Sequence, residues 1–588
     1  MRKLEVRLAR RAPQRGDRVG SAIVFVLAAG LSMDIWAQTS PPERATQIQD
    51  QEFVRQRERE RALRHRLEPS PDSRLDIPAT DQAMRLPRNE RPCFPIHRIR
   101  LEGEGSDRFQ WALRAANPKR DPALGHCLGA RGINVVMTRI QNALVAQGYV
   151  TTRVLAGPQD LTTGILRLTV ITGTIQRIRF ADGTSAKATA WNALPLQAGD
   201  RLNLRAIEQG LENFKRLPSV EADLQLVPST GAQARPGQSD VVIHWSQPHP
   251  VRWNLSLDDS GSKASGRLQA SLTASLDDAL HLNDLFYINL NHDAGWNRYH
   301  GTHGLTAHYS VPLKYWLFGV TTTRYTFAQL YDPDKEVQRV RYIGKSNTAE
   351  LRISRILHRS ARAKTAGYGR IWQRASRNYF GDLEVAIQHR RLAGWEAGLT
   401  HHHFIAAATV DVSGGFRRGT GAFGALHTVE ELLGQGTSRL RLLVADAQLL
   451  LPFHLGQQAI QLTSQWRGQW NLTHLITQDQ FALGGRYSVR GFDGETTLLG
   501  QRGWLLRNEI AFEMPAQQSV YWGLDTGLVS HMGTAQHPPG HRLVGTAVGI
   551  RGGWQSLYWD VFIGAPIHEP RAFQNARVVS GFSLNATF

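Results

Sequence analysis

The chain is 588 residues long, carries a formal charge of +19 and has a mean hydropathy of −0.33. It contains no run of about eighteen apolar residues, which excludes helical membrane spans but not a barrel whose strands are only half apolar. Its 54 glycines suit a fold with many tight turns. Its arginines are scattered rather than gathered beside aromatics in a groove, which argues against nucleic acid as a partner.

In chain order, residues 1–37 read as an export signal. A basic stretch from Arg2 to Arg18 precedes a short apolar core, Ala22 to Leu31, and a cleavage site after Ala37. Within 38–67, residues 47–67 are free of Gly and Pro and rich in Gln, Glu, Arg and Ala, so they form a helix. Its apolar stripe, Ile48, Phe53, Ala62, Leu63 and Leu67, is thin, which fits wet surroundings such as a polar pore, or a solvated surface. Residues 68–92 hold five prolines and mixed charge and form a linker.

Residues 93–172 read as a small α/β unit. It has a strand at 96–101, a short helix at 106–116, a clearer helix at 134–147 stopped by Gly148, and strands near 149–156 and 165–171. Cys93 and Cys127, the two cysteines of the chain, both fall inside it. In an exported protein they read as one disulfide, worth about 3 kcal/mol in the entropy model, with two buried thiols as the alternative. Residues 173–247 repeat the plan: a strand at 175–180, a short helix near 186–193, a main helix at 203–216 and strands near 221–227 and 240–246. Leu204, Ile207, Leu211 and Phe214 give that main helix its core face.

From Pro248 onward apolar and polar residues alternate. Trp253, Leu255 and Leu257 oppose Arg252, Asn254 and Ser256, and the chain ends with Phe582, Leu584, Ala586 and Phe588 opposing Ser583, Asn585 and Thr587. This pattern suits a barrel wall with lipid outside and a polar lumen. Residues 248–588 accommodate about sixteen strands of ten or so residues with their turns, although the period tolerates fourteen or eighteen. The chain has no GxSxG, HExxH or CxxC, and the adjacent His401, His402 and His403 point to alternate faces of a strand. The residues therefore describe no enzyme, no metal site and no cofactor.

Four stretches carry a family resemblance: Gly148-Tyr149-Val150-Thr151-Thr152-Arg153-Val154, Gly164-Ile165-Leu166-Arg167-Leu168, the Leu204–Asn213 helix with its Arg216-Leu217-Pro218-Ser219 exit, and Gly485-Arg486-Tyr487-Ser488-Val489-Arg490-Gly491-Phe492. Together they resemble the outer-membrane transporter component of bacterial two-partner secretion, within the Omp85 superfamily. The resemblance implies an all-β transmembrane barrel of sixteen antiparallel strands, preceded by two small α/β POTRA domains (93–172 and 173–247) and an N-terminal plug helix. It implies localisation in the outer membrane of a Gram-negative bacterium, with the POTRA domains in the periplasm. The implied partner is a large secreted exoprotein, an adhesin, haemolysin or contact-dependent inhibition toxin, which the POTRA domains capture unfolded and the barrel conducts without ATP. Outer-membrane lipid and lipopolysaccharide surround the barrel, which is expected to be a monomer. An outer-membrane assembly factor and a passive porin-like barrel are the alternative functions.

The resemblance also assigns site residues. Arg490 lies at the tip of a loop, about 471–502, folded into the lumen, where it would pair with Asp525 or with Glu509. Gly491 would let the backbone approach the wall, and Phe492 stands where many relatives have Tyr. The polar residues of the second POTRA helix, Arg205, Glu208, Gln209, Glu212 and Asn213, are expected to form a substrate-recognition surface.

Overall fold

A computed structural model describes residues 41–68, 71–75, 85–230, 232, 234–295, 300–331, 340–530, 541–571 and 573–588; the expected export signal lies outside them. Helix α1 spans Pro41–Leu67, starting before the expected position.

The first small domain contains β1 (Arg98–Glu102), a 3-10 helix (Ser106–Ala116), α2 (Ala130–Ala146), β2 (Arg153–Leu155) and β3 (Ile165–Ile171). Strand β3 lies in the middle of the sheet, parallel to β1 and antiparallel to β2. Val136, Ile140 and Leu144 of α2 pack on Leu166 and Leu168 of β3, as their helical and strand spacings require. Gly148, at φ 94°, ends the helix, with the Tyr149 N–H donating to the Leu144 carbonyl. Cys93 and Cys127 form the disulfide, Cα–Cα 5.2 Å, across a sequence separation of 34.

The second domain repeats this order with β4 (Thr174–Phe180), α3 (Leu204–Lys215), β5 (Glu221–Pro228) and β6 (Gln238–Ser246), β6 lying between the other two strands. The short helix expected near 186–193 is a run of turns. Its polar groups are taken up by the barrel instead: the Asn192 amide donates to the carbonyls of Leu282 and Pro312, and the Thr189 hydroxyl to that of His281. The domain core holds Ile207, Leu211 and Phe214, and it continues into Leu285 and Tyr287 of the barrel and Leu67 of α1. The domain is thus fused to the barrel rather than hung from it.

Sixteen antiparallel wall strands close the barrel: β7 (Val251–Asp258), β8 (Gln269–Asp277), β9 (Leu285–Asp293), β10 (Gly301–Leu313), β11 (Trp316–Tyr331), β12 (Val340–Arg359), β13 (Ala363–Phe380), β14 (Arg390–Ile405), β15 (Ala408–Thr420), β16 (Arg441–Leu455), β17 (Gln458–Asn471), β18 (Arg502–Met514), β19 (Gln518–Ser530), β20 (His541–Trp554), β21 (Leu557–His568) and β22 (Val579–Thr587). A two-residue piece, Leu383–Glu384, also pairs with β13. The last strand meets the first from Ser583↔Asp258 to Thr587↔Asn254. The wall is uneven in height. Strands β7–β9 have 8 or 9 residues, close to the expected ten, whereas β12 and β13 have 20 and 18 and extend well beyond a bilayer. Alternation sends Leu255, Leu290, Val320, Leu399 and Ile563 outward and exposed, while Thr273, Asn289, Thr323, Glu350 and Asp525 are buried inside.

Candidate functional site: the occupied lumen

Three elements meet inside the barrel: an inward-folded loop, helix α1 and the polar face of α3. The loop leaves β17 after Asn471 and rejoins the wall at Arg502, with a small hairpin, Phe481–Leu483 against Leu498–Gly500, at its base. At its tip, Arg490 meets both sequence candidates. Its Nε and Nη2 donate to the two oxygens of Asp525 at 2.8 and 2.9 Å, and Nη1 donates to Glu509 at 2.5 Å. Its backbone N–H adds a bond to Asp525 at 2.9 Å, and Nη2 another to the Asn508 carbonyl at 3.0 Å. Asp525 is 0% exposed and Arg490 5%, so this fork-to-fork pair is shielded from water. Glu509 is also held by Arg551, at 2.8 Å.

The wall is carved to receive the loop. Gly491 has φ 95°, and a Cβ there would lie 2.3 Å from the Ala565 carbonyl oxygen. On the wall, a Cβ at Gly545 would lie 1.9 Å from the Arg490 carbonyl oxygen, and one at Gly564 3.0 Å from Gly491 Cα. Gly545 and Gly564 escape a sequence reading, because a glycine inside a strand signals only a close approach and not what approaches. Phe492 is buried in an apolar cluster with Val489, Leu483, Leu543 and Phe573, its ring 5.7 Å from that of Phe573. Phenylalanine fills this position without a polar atom to satisfy.

Helix α1 lies in the lumen and touches nearly every sector of the wall. Glu52 accepts from Ser262 and Ser265 at 3.1 and 2.7 Å and from Tyr325 at 3.3 Å. Arg59 reaches Gln269 and the Ser260 carbonyl, Arg64 reaches Glu350 at 2.8 Å, and Arg467 of β17 reaches Glu58 at 3.1 Å. Arg390 pairs with Asp50 at 3.3 Å, and the Arg374 guanidinium covers the Phe53 ring at 4.4 Å. Arg55 donates to the Gly494 carbonyl of the inward loop at 2.6 Å. The helix is therefore held by polar contacts spread along its length, with Leu67 at its end set in the apolar core of the second domain. Beside its C-terminal half, a cavity of about 970 Å³ lined by Glu350, Arg352, Lys364, Asp446 and Arg467 remains open.

The five polar residues of α3 are not an open surface. Arg205, Glu208, Gln209, Glu212 and Asn213 are all buried. Arg359, at the end of β12, donates to Glu208 at 3.3 Å, Gln209 at 3.3 Å and Glu212 at 2.9 Å; Lys364 of β13 adds a bond to Glu212 at 3.1 Å. Asn213 donates to the Lys314 carbonyl in the β10–β11 turn at 2.7 Å. The polar face of an amphipathic helix is normally solvated, but here the barrel rim supplies its counter-charges. The linker enters the same seam: the Ser73 and Leu75 N–H groups donate to Glu212 and Glu208. Its far end is fixed to the first domain, where Glu90 accepts from the N–H groups of Gly129, Arg131 and Gly132 at the start of α2.

A barrel that carries two such small α/β domains and a loop pinned by a buried arginine defines a narrow class. Residues 237–552 match the family described as haemolysin secretion/activation protein ShlB/FhaC/HecB, residues 94–173 match the ShlB-type POTRA domain, and residues 174–228 match a further POTRA domain. The chain belongs to the ShlB/FhaC/HecB family. It is 33% identical over 551 residues to the outer membrane transporter CdiB-2 of Burkholderia pseudomallei, covering 88% of this chain and 90% of that protein. It is 27% identical to CdiB of Dickeya dadantii, over 97% and 99% of the two chains. The solved structure of CdiB from Acinetobacter baumannii superposes with a TM-score of 0.79 at 29% identity, over 93% of this chain and 99% of that one. As in this family of two-partner secretion transporters, the protein is an outer-membrane β-barrel with periplasmic POTRA domains that translocates an exoprotein.

Proposed function

We propose that the cargo is a single large exoprotein of the contact-dependent inhibition type, and that the lumen passes it after α1 withdraws while the Arg490 loop stays docked. The observation that carries this reading is the unequal hold on the two lumen elements. The loop is fixed by a buried bidentate pair, a glycine-lined seat and an apolar cluster, whereas α1 is held by exchangeable polar contacts. Polar partners can be replaced one at a time by an entering polypeptide or by water, so a polar-held helix leaves without exposing a large apolar face.

In this reading the POTRA domains bind the unfolded secretion domain, by strand addition to a sheet edge such as β5. Glu208 and Glu212 take part once their seam with Arg359 opens. Folding of the cargo outside the cell supplies direction, so no ATP and no catalytic chemistry are required. The wall meets outer-membrane lipid and lipopolysaccharide, and the closed barrel works as a monomer. The test is to express the protein with the exoprotein encoded beside it and measure surface display of that exoprotein and growth inhibition of target cells. Loss of both on deletion of 93–247, with other outer-membrane barrels unaffected, supports the reading. Normal display would sink it, and a general loss of other barrels would point to assembly.

A further inference from the structure

The outer face of the barrel is not uniform. The POTRA domains mark the periplasmic end, so the opposite strand ends face the cell exterior. On the tall strands, alternation fixes which residues point outward: Tyr342 and Glu350 of β12 and Arg374 and Asn378 of β13 are buried inside, so Lys345 and Arg377 point out. They stand directly opposite each other across the β12–β13 ladder. The next outward row contains Arg324 opposite Asn347, Asn347 opposite Ala375, and Ala375 opposite Arg391. Two strands further on, Arg418 and Arg441 form a second directly opposed cationic pair.

Like charges in directly opposed positions repel. Among the described residues, the carboxylate within reach of the patch is Glu384, 4.0 Å from Arg377 and shared with His389 at 3.0 Å. The outward positions of β21, β22, β7 and β8 carry no Lys or Arg; they present Val561, Ile563, Leu584, Leu255, Leu257 and Leu272. The Arg418–Arg441 pair stands beside a depth marker. Arg418 is opposite the exposed Trp395, whose ring lies 5.7 Å from that of Phe416, and Arg441 is two residues from Leu443, which faces the exposed Trp470. Exposed aromatic side chains at the end of a lipid-facing band mark the headgroup level.

We infer that Arg324, Lys345, Arg377 and Arg391 form a binding site for the phosphates of a phosphorylated glycolipid of the outer leaflet, with its acyl chains on the apolar wall below. Guanidinium groups pair bidentately with phosphate, and the ligand's negative charge removes the repulsion built into the Lys345–Arg377 pair. The site rests on the reading that this wall contacts outer-membrane lipid. It leaves the β22–β7 side of the barrel without such an anchor.

The test is native mass spectrometry of the full-length protein with diphosphoryl lipid A, monophosphoryl lipid A or phosphatidylethanolamine as the probe. The protein is expected to retain diphosphoryl lipid A above the other two, with inorganic phosphate failing to displace it. The variant R324Q/K345Q/R377Q is expected to retain it about tenfold less, and Arg542→Gln on β20 to behave as wild type. Equal retention by the triple variant, or no preference among the lipids in wild type, overturns the site; the second result needs no variant to fold. Insertion into phosphatidylethanolamine bilayers separates the two readings. A barrel that inserts without preferring lipid A defeats only this site, whereas one that fails to insert defeats the lipid-facing assignment beneath it.

Discussion

The inward loop and helix α1 fill the same lumen by opposite means. The loop is held at one point, with the Arg490–Asp525 pair, the Gly491 approach and the Phe492 cluster all within a few residues. Helix α1 spreads its contacts over many residues, and few of them are apolar. A concentrated, dehydrated contact fails only as a whole, whereas a distributed polar one can be exchanged stepwise. The two lumen elements therefore differ in the kind of interaction that holds them, not in the amount of it.

The largest expected effect comes from filling the loop's seat. Gly545→Ala drives a Cβ to within 1.9 Å of the Arg490 carbonyl oxygen, between two backbones that cannot yield. Exoprotein export should fall by more than about tenfold, with the barrel still heat-modifiable and the loop newly open to protease. Export at wild-type level would break the comparison at its fixed end.

Next comes Arg490→Ala, which leaves the buried Asp525 with Arg507 at 3.8 Å as its remaining cation. Removing one partner of a buried pair costs about 3–5 kcal/mol, to be read as a lower thermal midpoint of loop protection. Arg490→Lys keeps the charge but loses the fork, and should fall between.

Single changes in α1 should be milder. Arg64→Ala removes one pair to Glu350 among many contacts and should cost roughly 1 kcal/mol or less. The sharper test is salt. Raising ionic strength from about 0.1 to 1 M shortens the screening length from about 10 to 3 Å. Channel openings in planar bilayers should become more frequent while protease protection of the loop stays constant. Parallel loss of both would show that the two elements are not held differently.

The smallest effect concerns the linker that follows α1. Burial raises the Glu90 pKa, but the backbone N–H groups of Arg131, Gly132 and Gly129 lower it by more, so the carboxyl titrates below its ordinary value. A depressed folded pKa means that the stabilisation is present above about pH 4.5 and is lost as pH falls through the folded value. Glu90→Gln should speed hydrogen exchange at the start of α2 by the equivalent of about 0.3 kcal/mol near neutral pH. The difference from wild type should shrink in acid.

Much of this was legible in the residues. Alternation from Pro248 to Phe588 gave the barrel, because the side-chain period of a strand is fixed and one face must meet lipid. The spacing of Leu204, Ile207, Leu211 and Phe214 gave α3 its core face, and the family resemblance of the Arg490 motif pointed to both Asp525 and Glu509. The height of β12 and β13 and the turns at 186–193 were not legible, since both depend on partners distant in sequence.

The sequence by itself determined which residues have chemistry to offer: the cations, the carboxylates, the glycines and the alternating faces. Only the tertiary structure decided what each one meets. Glu208 and Glu212 look like a solvated helix face until Arg359, on a distant strand, covers them. Gly545 looks like a weak strand residue until the Arg490 carbonyl lies against it. Local pattern follows from backbone geometry, which the chain carries everywhere, whereas a counter-charge or a close approach is a property of two segments that the closed barrel alone brings together.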